Sequence, residues 1–152
     1  MHLLVIEDNP DLVANVADFL EGRGHTLDIA YNGYAGLGFA LENDYDALIL
    51  DLMLPGIDGF DVCRRIRLDP AGRDVPVIMV TSLQTKEHRL HAVEAGANDF
   101  IAKPVDETEL RVRSTSLLRM KGAQDELRRY QAHLEDMVVE RTMSMRKALE
   151  QM

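Results

Sequence analysis

At 152 residues, of which 46% are apolar, the chain is long enough for one domain with a full core plus an appendage, and too apolar for general disorder. Its net charge of −9 is uneven: residues 118–152 carry seven Lys/Arg and six Asp/Glu, which leaves residues 1–117 at −10, an acidic body ill suited to nucleic acid and suited to a cation. No apolar run approaches the roughly 20 residues that span a bilayer, and Met1–Asp8 has no basic segment and meets acids at once, so neither a membrane span nor a signal peptide is expected.

Leu3 to Ile6 reads as a short buried strand ending in Glu7-Asp8-Asn9-Pro10. Pro10 suits the first turn of a helix that Asp8 or Asn9 caps. Leu12, Val13, Val16, Phe19 and Leu20 then recur at helical spacing as far as Gly22 and Gly24. Thr26 to Ala30 is a second strand, broken by Asn32-Gly33, and a helix follows through Leu37, Ala40 and Leu41. Ala47 to Leu50 is a third strand, apolar throughout, as expected where both faces of a parallel sheet are covered. It runs into Asp51, and Pro55-Gly56 stops it. Phe60, Val62, Cys63 and Ile66 mark a third helix ending near Asp69-Pro70. The one cysteine, Cys63, lies on its apolar face and fits a buried thiol in a reducing, cytoplasmic setting. Val75 to Val80 is a fourth strand ending at Thr81-Ser82. Helical periodicity resumes through Leu90, Val93 and Ala95 and stops at Gly96. Asn98 to Ala102 is a fifth strand, closed by Lys103-Pro104. Five β–α alternations predict a doubly wound α/β fold with a five-stranded parallel sheet.

From Asp106 the helical pattern continues to Met152 with no proline and one glycine, Gly122. Met120, Ala123, Leu127, Tyr130, Leu134 and Met137 alternate spacings of three and four, the seam of a coiled coil. Beyond Met137 that register would bury Arg141 and Ser144. A shift of one residue gives Val138, Thr142, Met145, Leu149 and Met152, a stutter. The expected domains are residues 1–117 and a helical coiled-coil extension, 118–152, that joins two copies as a parallel homodimer. The alternative is a single helix folded back on the globular part.

Four polar elements fall at carboxyl ends of strands: Glu7-Asp8, Asp51, Thr81 and Lys103. In a sheet of order 2-1-3-4-5 these ends converge at the topological switch point, where such folds bind ligands. Three clustered carboxylates repel one another and call for a cation. Oxygen ligands in an open site suit Mg²⁺, which keeps waters and leaves room for phosphate oxygens. A lysine opposite supplies a second positive charge to a phosphoryl group, and the threonine hydroxyl can donate to it. Asp51 is then free to act as nucleophile and form an acyl phosphate.

The stretches Val5-Ile6-Glu7-Asp8-Asn9, Leu50-Asp51-Leu52-Met53-Leu54-Pro55-Gly56-Ile57-Asp58-Gly59, Val80-Thr81-Ser82 and Gly96-Ala97-Asn98-Asp99-Phe100-Ile101-Ala102-Lys103-Pro104 resemble the CheY-like receiver domain of two-component response regulators. The resemblance covers roughly residues 2–117. The 2-1-3-4-5 order is known for that family and is carried over from it. The resemblance implies that Asp51 is the phosphoacceptor and that Asp8, Asp51 and the Met53 backbone carbonyl ligate Mg²⁺, with Glu7 acting mainly through a metal-bound water. It implies that Lys103 faces the phosphoryl group, that Thr81 and Phe100 form a switch pair, and that the donor is a sensor histidine kinase or a phosphotransfer protein. Two positions depart from the common pattern. Glu7 stands where Asp is frequent and reaches farther. Phe100 stands where Tyr is frequent and has no hydroxyl to offer a partner.

Other functions compete. A small-molecule phosphatase of similar fold wants a second acid two residues after the nucleophile, and Met53 stands there. A DNA-binding regulator wants a basic helix-turn-helix, and the residues after 117 are of mixed charge, so no direct nucleic-acid contact is expected of this chain. A stand-alone, phosphorylation-dependent interaction module remains the alternative to a relay. Glu140-Arg141-Thr142 on a helix after such a domain resembles linkers into catalytic outputs, such as cyclic-dinucleotide enzymes. The helical pattern reaches Met152 without a stop signal, so a truncated chain or an excised regulatory module is expected.

Overall fold

The computed structural model describes residues 1–82 and 85–152. The elements alternate: β1 (His2–Ile6), α1 (Pro10–Glu21), β2 (Thr26–Ala30), α2 (Gly33–Glu42), β3 (Ala47–Asp51), α3 (Gly59–Leu68), β4 (Val77–Thr81), α4 (Lys86–Ala95), β5 (Asp99–Ala102) and α5 (Glu107–Glu150). The five strands form one sheet in the order β2-β1-β3-β4-β5, and every pairing is parallel. This is the doubly wound α/β fold expected from the alternation.

Strand alternation divides the core in two. Leu4, Ile6, Leu48, Leu50 and Met79 share one core cluster with Ala40 of α2, Val62, Cys63 and Ile66 of α3, and Ala92 and Ala95 of α4. Val5, Ile49 and Val80 point the other way, toward Val13 and Val16 of α1 and Leu110 of α5. β3 and β4 are buried along their whole length, which explains their unbroken apolar runs.

Local chemistry sets the helix ends. Asn9, not Asp8, caps α1, its side chain accepting from Asp11 N and Leu12 N, with Pro10 in the first turn. Asn32, Asp58 and Thr85 cap α2, α3 and α4 in the same way. Gly96 ends α4 at φ +103, in the left-handed region that a side chain disfavours.

One strand boundary shifts, and one helix face is settled by the fold. β4 begins at Val77, because Pro76 has no N–H to give to a ladder; its carbonyl still accepts from Leu48 N at 2.8 Å. On α4, Leu90 and Val93 are 58% and 56% exposed, while Ala92 and Ala95 face the core. The helix carries apolar residues on two faces, and the small one faces inward.

The chain divides into two compact units, Met1–Leu118 and Arg119–Met152. The second is helical to Glu150. Within it Leu127, Tyr130, Leu134, Met137 and Val138 are all exposed. No helix among the described residues is long and apolar enough to cross a membrane.

Candidate functional site

Each polar group expected at a strand end is fixed by a backbone bond that prolongs the sheet by one residue. Glu7 N donates to Ala30 O at 3.0 Å, Leu52 N to Val80 O at 3.1 Å, and Lys103 N to Thr81 O at 2.9 Å. Glu7 and Lys103 thus keep the backbone pairing of the sheet, and Asp51 and Thr81 are the last residues of β3 and β4. The Lys103–Pro104 peptide is cis.

The structure brings Glu7, Asp8 and Asp51 together, with one carboxylate oxygen of each within 4.8 Å of the others. Glu7 and Asp51 are only 4% and 2% exposed, whereas Asp8 is exposed. The Lys103 ammonium reaches both buried acids, 3.2 Å from Asp51 Oδ1 and 3.3 Å from Glu7 Oε1. Asp51 Oδ1 also accepts from Met53 N at 3.3 Å.

The electrostatics follow from this crowding. Burial, then the hydrogen bond and charge of Asp51, push the Glu7 carboxyl up to about 7, against the pull of Lys103. Burial lowers the Lys103 ammonium, but the charges of Asp51 and Glu7 outweigh it and leave its pKa raised. Fully ionised, the three acids and Lys103 sum to two negative charges. Hard oxygen donors with a charge deficit of two fit a divalent cation of the Mg²⁺ type.

The β3–α3 turn is held tightly. Gly59 N donates to Leu52 O at 2.8 Å, and a Cβ on Gly59 would collide with the Asp51 backbone carbonyl. Only glycine lets α3 begin so close to the end of β3.

Thr81 is buried at the end of β4, and Phe100 is half-buried in β5. Both line a cavity of about 330 Å³ with Leu52 and Met79. The residues expected to form a seam, Met120, Ala123, Leu127, Tyr130, Leu134, Met137 and Val138, all lie on α5.

Sequence reasoning left out two groups that brace the fold around the sheet. Arg67, on α3, sends its guanidinium to the carbonyls of Gly72, Val75 and Gly96 and to Asn98 Oδ1. Gly33 and Tyr34, at the start of α2, lie against Ile57 and Gly56 of the β3–α3 loop. A lone arginine on the polar side of a helix gives no sequence signal. The Gly56 turn was visible, but what lies against it was not.

The structure thus combines a doubly wound parallel sheet with buried acids at the ends of β1 and β3 and a lysine after β5 across from them. The response regulator receiver domain family matches residues 3–115, and the chain belongs to that family. Among curated relatives, response regulator PleD of Caulobacter vibrioides is 37% identical over 130 residues, 86% of this chain and 29% of the relative. The transcriptional regulatory protein CusR of Escherichia coli is 38% identical over 123 residues, 81% of this chain and 53% of the relative. The chain thus spans about a third to a half of the length of these relatives. Among solved structures, a putative response regulator from Chloroflexus aurantiacus aligns with TM-score 0.74 at 35% identity, covering 78% of this chain and 97% of that one. The receiver domain of a Pseudomonas aeruginosa sensor histidine kinase, described with a magnesium ion coordinated in its active-site cleft, aligns with TM-score 0.71 at 32% identity. That alignment covers 80% of this chain and 97% of the other.

Proposed function

We propose that this receiver domain takes a phosphoryl group from a sensor histidine kinase or phosphotransfer protein onto Asp51, and relays its state through α5. The observation that carries this is Asp51 itself: a carboxylate 2% exposed at the end of β3, met by a lysine at 3.2 Å and flanked by two further acids. A carboxylate Oδ of Asp51 attacks phosphorus, the P–N bond of the donor phosphohistidine breaks, and the imidazole nitrogen leaves with the electron pair. Asp51 thereby becomes an acyl phosphate. Lys103, already beside Asp51, stays as counter-charge to the phosphoryl oxygens. Asp8, Asp51 and the Met53 carbonyl, with Glu7 beside them, would hold Mg²⁺, which would supply positive charge for the phosphoryl transfer. Met53, with its side chain exposed, places no acid over the site, which disfavours a small-molecule phosphatase.

The relay begins with the roughly two negative charges that phosphorylation adds. The Thr81 hydroxyl turns toward them, and Phe100 turns into the cavity the two residues line. The surface of α4, β5 and α5 changes with it. The exposed apolar residues of α5 from Leu127 onward support a parallel homodimer through that helix. The Glu140-Arg141-Thr142 segment supports a catalytic output downstream, of which cyclic-dinucleotide chemistry is one form. The lone buried Cys63 fits a reducing cytoplasm.

The test is labelling with acetyl phosphate and Mg²⁺, read by mass spectrometry. Wild type gains one phosphoryl group that alkali removes, and Asp51→Asn gains none. Equal labelling of Asp51→Asn would reject the assignment.

A further inference from the structure

α2 and the β3–α3 loop meet through a reciprocal fit. A Cβ on Gly33 would come within 2.6 Å of both Ile57 Cγ1 and Ile57 O. A Cβ on Gly56 would come within 3.0 Å of Tyr34 Cε2 and 3.2 Å of Tyr34 Cδ2. Each element thus sets a glycine opposite the other's bulky side chain, in adjacent pairs: Gly33 against Ile57, Tyr34 against Gly56. Ile57 is buried in the fit, whereas Tyr34 is 59% exposed. So exposed a ring gains little from burial as such. What it does is cover Gly56, which sits at φ +87 in the middle of the loop.

That loop runs from Asp51 to Gly59 and includes Met53. Its two ends are tied by Leu52 N to Val80 O at 3.1 Å and Gly59 N to Leu52 O at 2.8 Å. The middle, Met53 to Asp58, leaves the sheet, and the α2 fit lies there. The first turn of α2 is itself fixed, because the Asn32 side chain accepts from Ala35 N at 2.8 Å. A continuous path therefore leads from the Asn32 cap, through Gly33 and Tyr34, to the loop that follows Asp51.

We propose that Tyr34, with Gly33 beneath it, is a positioning residue for the metal site: its ring clamps the β3–α3 loop so that the Met53 carbonyl is held ready for the cation. This rests on the reading of Glu7, Asp8, Asp51 and Met53 as a Mg²⁺ site. Backbone carbonyls make weak ligands unless the loop that bears them is already shaped, so loosening the clamp lowers metal affinity without removing a ligand. The side chain touches no ligand atom through its hydroxyl in this scheme; the flat ring is what matters.

The experiment compares the 152-residue wild-type chain with Tyr34→Ala and Tyr34→Phe. Mg²⁺ binding is measured by titration calorimetry, and amide hydrogen exchange of residues 53–58 is measured with EDTA present. Tyr34→Ala is expected to bind Mg²⁺ about tenfold more weakly and to exchange faster in the loop, and Tyr34→Phe to restore both. Tyr34→Ala affinity within about twofold of wild type overturns the inference, whatever the loop exchange does. Equal losses in Tyr34→Ala and Tyr34→Phe also overturn it, because the hydroxyl would then be responsible. A wild-type chain that binds no Mg²⁺ overturns the metal reading, and this inference falls with it.

Discussion

Lys103 lies 3.2 Å from Asp51 although β5 and β3 are not neighbours in the sheet. The side chain crosses the end of β4 to reach it, and also meets Glu7, at the end of β1 beyond β3, at 3.3 Å. One ammonium is thus shared by two buried acids. It occupies the place of positive charge that a divalent cation would otherwise fill alone.

Lys103 and Asp8 should therefore separate in their effects. Asp8→Ala removes an exposed carboxylate from the cation's ligand set and is expected to weaken Mg²⁺ binding by about tenfold or more. Lys103→Ala removes a competing cation, so Mg²⁺ should bind at least as well as in wild type, while the conformational response to phosphorylation is lost. Metal titration of both variants, with tryptic protection of the phosphorylated forms, measures this. A matching fall in Mg²⁺ affinity in both variants would remove the division of labour.

Glu7 gives the metal-free protein a pH dependence. Its ordinary value is 4.5, and in the folded chain it is pushed up to about 7. Between those values the folded chain holds a proton that the unfolded chain has released, so stability falls as pH rises through that window. The loss is on the order of 2–3 kcal/mol. Urea unfolding in EDTA at pH 5 and pH 8 should show it, with Glu7→Gln flattening the difference. Saturating Mg²⁺ should abolish this fall, because a cation that favours the ionised carboxylate removes the difference in bound protons between the folded and unfolded chains. A Glu7→Gln variant with the wild-type slope would place the titration elsewhere.

Arg67 holds the amino-terminal side of β4 and β5 to α3. Its Nη1 reaches Gly72 O at 2.8 Å and Val75 O at 2.6 Å; its Nε and Nη2 reach Gly96 O at 3.0 and 2.8 Å. Nη2 also donates to Asn98 Oδ1, which accepts in turn from Val77 N. Burial pulls its pKa below the ordinary value, and all these bonds are to neutral oxygens. Arg67→Ala should cost on the order of 3–5 kcal/mol, and Arg67→Lys most of that, since an ammonium cannot fork to three carbonyls. Thermal melts measure both. A loss below about 1 kcal/mol in Arg67→Ala would mean that solvent replaces these bonds.

What the sequence showed and what it hid divide along a physical line. β1, β3 and β4 were legible because burial on both faces leaves unbroken apolar runs, and Glu7, Asp8, Asp51, Thr81 and Lys103 because each stands where such a run stops. The turn at Gly56 was legible from Pro55-Gly56. Arg67 and Tyr34 were not, because their roles depend on which carbonyl or glycine the fold brings opposite them. Which face of α4 turns inward was hidden for a related reason. Leu90 and Val93 make a better apolar stripe than Ala92 and Ala95, but the space above the sheet takes the alanines.

The long helix carries the last prediction. Leu127, Tyr130, Leu134, Met137 and Val138 are 41–64% exposed, and they recur at the spacing of a seam. A single helix leaves that stripe in water, and in the proposed homodimer a second copy of the same helix covers it with the same residues, as two-fold symmetry requires. The seam has two registers, through Met137 or through Val138. Where they meet, Thr142 Oγ1 donates to Val138 O at 2.9 Å, a back-bond that satisfies the hydroxyl within its own helix and lets Thr142 enter a seam. Phosphorylation is expected to favour one register over the other. Single cysteines at Leu127, Leu134, Met137 and Val138, in a Cys63→Ser background, should crosslink as parallel pairs, with Met137 and Val138 changing places in efficiency on phosphorylation. Light scattering that shows a monomer at micromolar concentration would remove the dimer. A dimer whose crosslinks ignore phosphorylation would keep the dimer and remove the register change, and the signal would then have to leave the receiver by another face.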